Sequence, residues 1–164
     1  MTLRQRLAGL LIVAATLGLA GPAAANQNDK REISSYVLTE AGLNKFTQAS
    51  QSLAAVPGAC ARVDDEGDDD SDSASLDQLV AKLNAVPGAQ SAIQSAGMTT
   101  REYIVFMWSM FESGMSAWAV KQNGKLPPGV QQANVDFYNK HEAAMRALGD
   151  QDPCGNDEDD DGDE

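Results

Sequence analysis

One segment of this 164-residue chain, residues 99–124, constrains the fold more than any other. It opens with Thr99–Glu102, a capping box in which the threonine oxygen can accept the amide three residues later and the glutamate can reach back. It closes with Asn123-Gly124, a typical helix stop. Nine large apolar side chains lie between, on nearly every side of the helix: Tyr103, Ile104, Phe106, Met107, Trp108, Met110, Phe111, Met115 and Trp118. We therefore expect a central helix that packs against several neighbours.

The rest of the chain carries weaker helical patterns that stop at glycine or proline. Thr39 suits an N-cap for the first of these helices, and Ser73 or Ser75 suits an N-cap for the second. Further helices are expected over about 39–55, 75–86, 87–97 and 131–148, with Gly149 ending the last one. No convincing strand pattern occurs outside Ile33–Leu38. The sequence therefore predicts an all-α fold, a four- to five-helix bundle around the central apolar helix.

A short internal repeat marks two of the expected helix ends. Leu53–Ala59 and Leu83–Ala89 are identical at six of seven positions, and each contains Val-Pro-Gly. Two copies with little similarity outside them do not indicate a solenoid. We interpret the repeat as the same helix-stop chemistry used twice, or as a faded duplication.

The first 25 residues have the three-part layout of a secretory signal peptide. Arg4 and Arg6 precede the apolar run Leu7–Leu19, which Ala23–Ala25 follow. The run is shorter than the roughly 20 residues that a membrane-spanning helix needs. We expect cleavage near Ala25, export to the periplasm or beyond the cell, and no membrane span in the mature chain. The expected organisation is then a signal peptide over 1–25, an extended lead-in over 26–38, a helical domain over 39–149 and an acidic tail over 150–164.

Most of the negative charge lies in two short runs. The chain has a formal net charge of −12, which disfavours nucleic acid as a partner because the phosphate backbone attracts basic proteins. Seven acidic residues lie in Asp64–Asp72 and nine in Asp150–Glu164, and neither run contains a basic residue. Such runs repel themselves and have little apolar surface to bury. We therefore expect a disordered acidic loop over 61–74 and a disordered acidic tail.

Of the two cysteines, Cys60 stands four residues before the first run, and Cys154 stands three residues before Asp157, where most of the second run begins. In an exported chain two cysteines are expected to pair, and the disulfide would bring the two acidic runs together. Opposed carboxylates invite a hard cation such as Ca²⁺. The alternative is that both runs only keep the protein soluble. The candidate cation ligands are Asp68, Asp69 and Asp70 in the loop and Asp157, Asp159 and Asp161 in the tail, where Asp157–Gly162 resembles the opening half of an EF-hand loop.

Glu112 and the single histidine, His141, are the interior candidates for acid–base chemistry. If the last two helices are antiparallel neighbours, these two residues could meet in a ligand pocket beside Trp108, with Tyr103 and Tyr138 as further walls. The alternative is a hydrogen-bonded interior histidine and a glutamate at the edge of the core. No nucleophile or orienting partner stands at a meaningful spacing from either residue.

The methionines offer a second binding hypothesis. Met107, Met110 and Met115, with His141 or Met145, carry the soft ligands that Cu(I) prefers. The alternative is that these methionines fill the core, since the three on the central helix do not share one face.

Several stretches resemble a group of small exported bacterial helical proteins of unknown activity. They are Tyr36–Thr39, Ala92–Tyr103, Lys125–Val130, Asn134–Tyr138 and His141-Glu142. They touch most of the expected helical body and neither acidic run. The resemblance implies a helical fold and an exported location, and it implies no activity, cofactor or partner.

These features predict an exported, non-enzymatic helical protein with no certain cofactor, whose acidic segments solvate it or bind divalent cations such as Ca²⁺. The alternative is a bundle that binds a small ligand or copper through the methionine- and aromatic-rich central helix. A third hypothesis is an enzyme with a site formed by Glu112 and His141.

Overall fold

The computed structural model describes residues 22–59 and 74–150. Within these residues the chain forms helices and no strand, so the all-α fold class is confirmed. In chain order the helices are α1 (Pro22–Ser35), α2 (Glu40–Ala54), α3 (Leu76–Asn84), α4 (Ala89–Ser95), α5 (Thr100–Asn123) and α6 (Gln132–Asp150). The described part of the chain thus has one helix more than the upper number expected.

Helix α5 is the centre of the bundle, because it contacts each of the other five described helices. Phe106 on α5 is fully buried, and its ring stacks on Phe46 of α2 with centroids 4.9 Å apart. Phe46 also stacks on Tyr103, again at 4.9 Å. Aromatic pairs of this kind add packing energy to the area that they bury, so the core forms where α2 crosses the first half of α5.

The helix ends follow the predicted capping residues. Thr39 caps α2 by accepting the amide of Gly42. Ser75 and Thr99 each form a full capping box, at the starts of α3 and α5 respectively. Gly124 ends α5 in the left-handed conformation at φ 64°, which glycine adopts without steric cost.

The two copies of the repeat have the same local structure. The amide of Val56 donates to Leu53 O at 2.9 Å, and the amide of Val86 donates to Leu83 O at 3.1 Å. In each copy the glycine has positive φ and the final alanine is buried. Both copies therefore end a helix in the same way, as a helix stop used twice and a faded duplication each predict.

The expected extended lead-in over 26–38 is wrong, because α1 is a helix through Ser35. The sequence of α1 shows little apolar periodicity, because polar contacts hold much of this helix against the rest of the protein. Asp29 Oδ2 accepts the amide of Leu76 at 2.9 Å, and the Ile33 carbonyl accepts the hydroxyl of Ser109 at 2.9 Å. The non-helical connection is limited to Tyr36–Thr39.

Helix α6 is fastened to that connection by a buried amide. Asn134, which is 5% exposed, donates from Nδ2 to Tyr36 O at 2.7 Å and accepts the amide of Leu38 at 3.0 Å. Helix α6 continues through the expected stop at Gly149 to Asp150. Across residues 22–59 and 74–150, no helix combines the length and apolar character needed to cross a bilayer.

Candidate functional site

From Trp108 onward, helix α5 exposes four large apolar side chains along one face. We call Trp108, Phe111, Met115 and Trp118 the apolar stripe; their exposed fractions are 38%, 59%, 54% and 58%. Positions i, i+3, i+7 and i+10 fall within about 80° of one another around a helix, so the four residues share one face. The expectation that α5 would be packed on nearly every side is therefore wrong for the face that carries the stripe.

The first half of α5 is covered because two helices are fastened to it. Arg101 Nε and Nη2 donate to the two carboxylate oxygens of Glu32 on α1, at 2.9 and 2.6 Å. Its Nη1 donates to Asp77 on α3 at 2.5 Å. Thr100 also donates to Asn84 of α3 at 2.6 Å. Both contacts with α3 are made by the first two residues of α5, which precede the stripe.

Helix α6 covers a different side of the second half of α5. A Cβ added at Gly114 would lie 2.8 Å from the ring of Tyr138, closer than real Cβ contacts come. Glycine at this position therefore lets α6 approach the α5 backbone. Gly114 stands three residues after Phe111 and four before Trp118, so the contact with Tyr138 lies along the edge of the stripe, while the four stripe side chains keep their exposure.

The stripe has some internal order. The rings of Trp108 and Phe111 meet edge to face, with centroids 5.8 Å apart and planes at 89°. An aromatic pair in this geometry holds its shape before any partner arrives, which lowers the entropy cost of binding.

Glu112 borders the stripe and lines a surface cleft of about 440 Å³. The other lining residues are Lys30, Arg31, Ile33, Ser34, Pro128 and Gly129. Burial raises the pKa of the Glu112 carboxyl above its ordinary value of 4.5. Ionisation of this carboxyl is therefore less favourable than in water, even though basic residues line the same cleft.

The structure does not assemble the expected pocket of Trp108, Glu112 and His141. His141 Nε2 lies 2.9 Å from Glu40 Oε1, and its ring packs against Phe137 with centroids 4.4 Å apart. Neither His141 nor Trp108 lines the cleft that contains Glu112. The expected meeting of Glu112 and His141 is therefore replaced by a pair of Glu40 and His141 that joins α2 to α6.

Lys140 is the main group that stabilises the ionised form of Glu40. The hydrogen bond from the Lys140 ammonium is the largest cause that lowers the pKa of Glu40, and His141 adds a smaller effect in the same direction. The three side chains together tie α2 to α6 at the protein surface. Their arrangement is that of a structural ion pair with a histidine at its side.

The methionines of the copper hypothesis differ in their surroundings. Met110 is 2% exposed and belongs to the hydrophobic core, whereas Met115 lies on the stripe. Met107 and Met145 are partly buried against the core. Core filling thus describes Met110, and copper binding stays a prediction.

The other candidate site residues lie outside the described residues. These are Cys60 and Cys154 of the expected disulfide, and Asp68, Asp69, Asp70, Asp157, Asp159 and Asp161 of the expected cation sites. Among the residues that are described, no three histidine, cysteine or acidic side chains cluster as metal ligands would. The disulfide and Ca²⁺ binding stay predictions.

Comparison of the chain with models of protein families, with curated proteins and with solved structures gave no match. The resemblance to small exported helical proteins therefore also stays a prediction.

Sequence reasoning missed the stripe as a site, although its signal was present. Apolar residues at steps of three, four and three along one helix are typical of a packing seam. The same residues were interpreted as core because the helix around them is apolar on its other faces too.

Proposed function

We propose that this protein is an exported, non-enzymatic binding protein that recognises another protein through the apolar stripe on α5. The observation that carries the proposal is the exposure of four large apolar side chains on one face of the central helix. Contiguous apolar patches of a few hundred Å² on soluble proteins often mark interaction sites. Tryptophan, phenylalanine and methionine are also the residue types enriched at protein interfaces.

The ion pairs between helices support a binding role over catalysis. Arg101 is engaged by Glu32 and Asp77, and Glu40 is engaged by Lys140 and His141. Each set joins separate helices, so its contribution is to the fold. Export is supported by the basic, apolar and small-residue layout of residues 1–25.

Site-specific photo-crosslinking in the producing cell tests this function. A benzophenone amino acid replaces Phe111 on the stripe or, as a control, Val37, which is equally exposed at 57% but lies in the α1–α2 connection. We expect a defined covalent adduct from position 111 and none from position 37. A further substitution, Trp118→Glu, should abolish the adduct from position 111. Equal labelling at both positions, or none at either, would contradict the proposal.

A further inference from the structure

The spacing of the apolar stripe is that of a coiled-coil seam. Its residues stand three, four and three positions apart, which is the alternation that places side chains between two packed helices. The seam has clear limits. The seam position before Trp108 is Ile104, four residues earlier, and it is buried within the protein itself at 3% exposure. The seam position after Trp118 is Gln122, four residues later, and it is polar and exposed. The free seam is therefore four side chains long, about 15 Å along the helix.

The order of side chains along this seam is nearly the same in both directions. Tryptophan stands at each end, and Phe111 and Met115 stand between. A two-fold axis that relates antiparallel helices would place Trp108 of one copy against Trp118 of the other. The same axis would place Phe111 against Met115, a sulfur–aromatic pair that is favourable in apolar surroundings. The seam is thus complementary to itself, as a two-fold interface requires.

The area of the stripe fits a reversible association. From their exposed fractions, the four side chains offer on the order of 400 Å² per copy. Two such faces, with the residues at their rims, approach the low end of specific interfaces, about 1,200 Å² in total. An interface of this size forms a dimer that depends on concentration.

The charge of the chain disfavours an anionic membrane as the occupant of the stripe. The acidic excess of this chain opposes approach to anionic lipid. That excess is concentrated in Asp64–Asp72 and Asp150–Glu164, and the remainder of the expected mature chain has eight acidic against ten basic side chains. Outside these two runs, the expected mature chain is therefore nearly neutral.

We infer that the apolar stripe binds the same stripe on a second copy of this chain, with the two α5 helices antiparallel. This inference rests on the proposed function, because it names the partner of the same site. It assigns Trp108–Trp118 and Phe111–Met115 as the contacts between the two copies.

Sedimentation velocity of the purified protein, expressed from the full-length sequence, tests the inference. We expect the mass to rise from one copy to two copies as the concentration increases towards about 100 µM. Phe111→Glu should weaken association at least tenfold, because it brings a carboxylate into the seam. Met115→Glu provides an independent variant with the same expectation. Val37→Glu is the control; it adds the same charge off the stripe and should leave association unchanged.

A charge-swap variant tests the antiparallel direction. In Phe111→Glu/Met115→Lys, antiparallel helices place the new glutamate against the new lysine twice, so association should recover relative to Phe111→Glu alone. Parallel helices would place like charges together, and association would weaken further. A lack of recovery would overturn the proposed direction.

The two proposals fail differently. A monomer at every concentration overturns pairing with a second copy. If position 111 is then crosslinked to a different protein in the cell, the binding function stands with another partner. If the monomer instead binds phosphatidylglycerol vesicles through Phe111, the occupant is a membrane and both proposals are wrong. Both are also wrong if neither adduct nor dimer forms.

Discussion

Near its start, α5 buries Tyr103, Ile104 and Phe106, whereas its face between Trp108 and Trp118 exposes Phe111, Met115 and Trp118. All six of these side chains are large and apolar. What differs is the neighbouring chain: α1 and α3 are held over the first half by Arg101, and no described helix covers the face that carries the stripe. An apolar face on a helix therefore indicates that another surface packs there. It does not indicate whether that surface belongs to the same chain or to another molecule.

The largest test of this comparison replaces a phenylalanine in the buried region and a phenylalanine on the stripe. Phe106→Ala empties a fully buried site stacked on Phe46 and should lower the free energy of unfolding by about 3–5 kcal/mol. Phe111→Ala, measured where the protein is monomeric, should change it by less than about 0.5 kcal/mol. Urea denaturation followed by circular dichroism measures both. Equal losses would mean that burial does not distinguish Phe106 from Phe111.

A second test concerns the side of the second half that α6 covers. Gly114→Ala adds a methyl group against the ring of Tyr138 and should cost about 1–2 kcal/mol, after the better helix propensity of alanine is counted. Met115→Ala, one residue along the same helix, should have little effect on monomer stability because Met115 is exposed. If Gly114→Ala stabilised the protein, α6 would not pack as closely as described.

The contacts that cover the first half provide a third test. Arg101→Gln removes the ion pairs to Glu32 and Asp77 and should cost about 1 kcal/mol, less at high salt, because the guanidinium is partly exposed. Lys121→Gln is the matched control, since its nitrogen lies 3.7 Å from Glu142 and its side chain is 62% exposed. We expect no measurable loss from the control. Equal losses would remove Arg101 as the fastening residue.

The smallest effects are changes in the pH dependence of stability. Arg101 lowers the pKa of Glu32, so this carboxylate stabilises the fold above pH 4.5 and the contribution is lost as pH falls through the lowered value. Burial raises the pKa of Glu112, so its ionisation destabilises the fold as pH rises above 4.5. At pH 7, Glu32→Gln should therefore destabilise the protein and Glu112→Gln should stabilise it. Both differences should fade in acid, and shifts of the same sign would contradict the assignment.

Local signals in the sequence predicted much of the fold. Thr99 and Glu102 form the capping box that their spacing indicates, and Gly124 ends α5 as expected. Helix α1 was missed because it is held by Asp29 and Glu32 through polar contacts with distant residues, which leave little apolar period. Local propensity cannot reveal a contact between residues that are far apart in the chain.

The candidate site was harder to predict for a related reason. The pairing of Glu112 with His141 assumed antiparallel helices, but His141 meets Glu40 of α2 instead. The spacing of the four stripe residues is enough to predict a helix-packing seam. Whether that seam is covered depends on where α3 ends and where α6 crosses α5, and the spacing does not contain this information.

The two tryptophans of the chain both lie on the apolar stripe, so tryptophan fluorescence reports on this face without labelling. The most direct measurement is acrylamide quenching of that fluorescence across a dilution series of the purified protein. We predict strong quenching in dilute solution and progressively weaker quenching as the mass rises to two copies, with Phe111→Glu remaining strongly quenched throughout. Weak quenching at the lowest concentration, or quenching that does not change with concentration, would contradict an open face that a second copy covers.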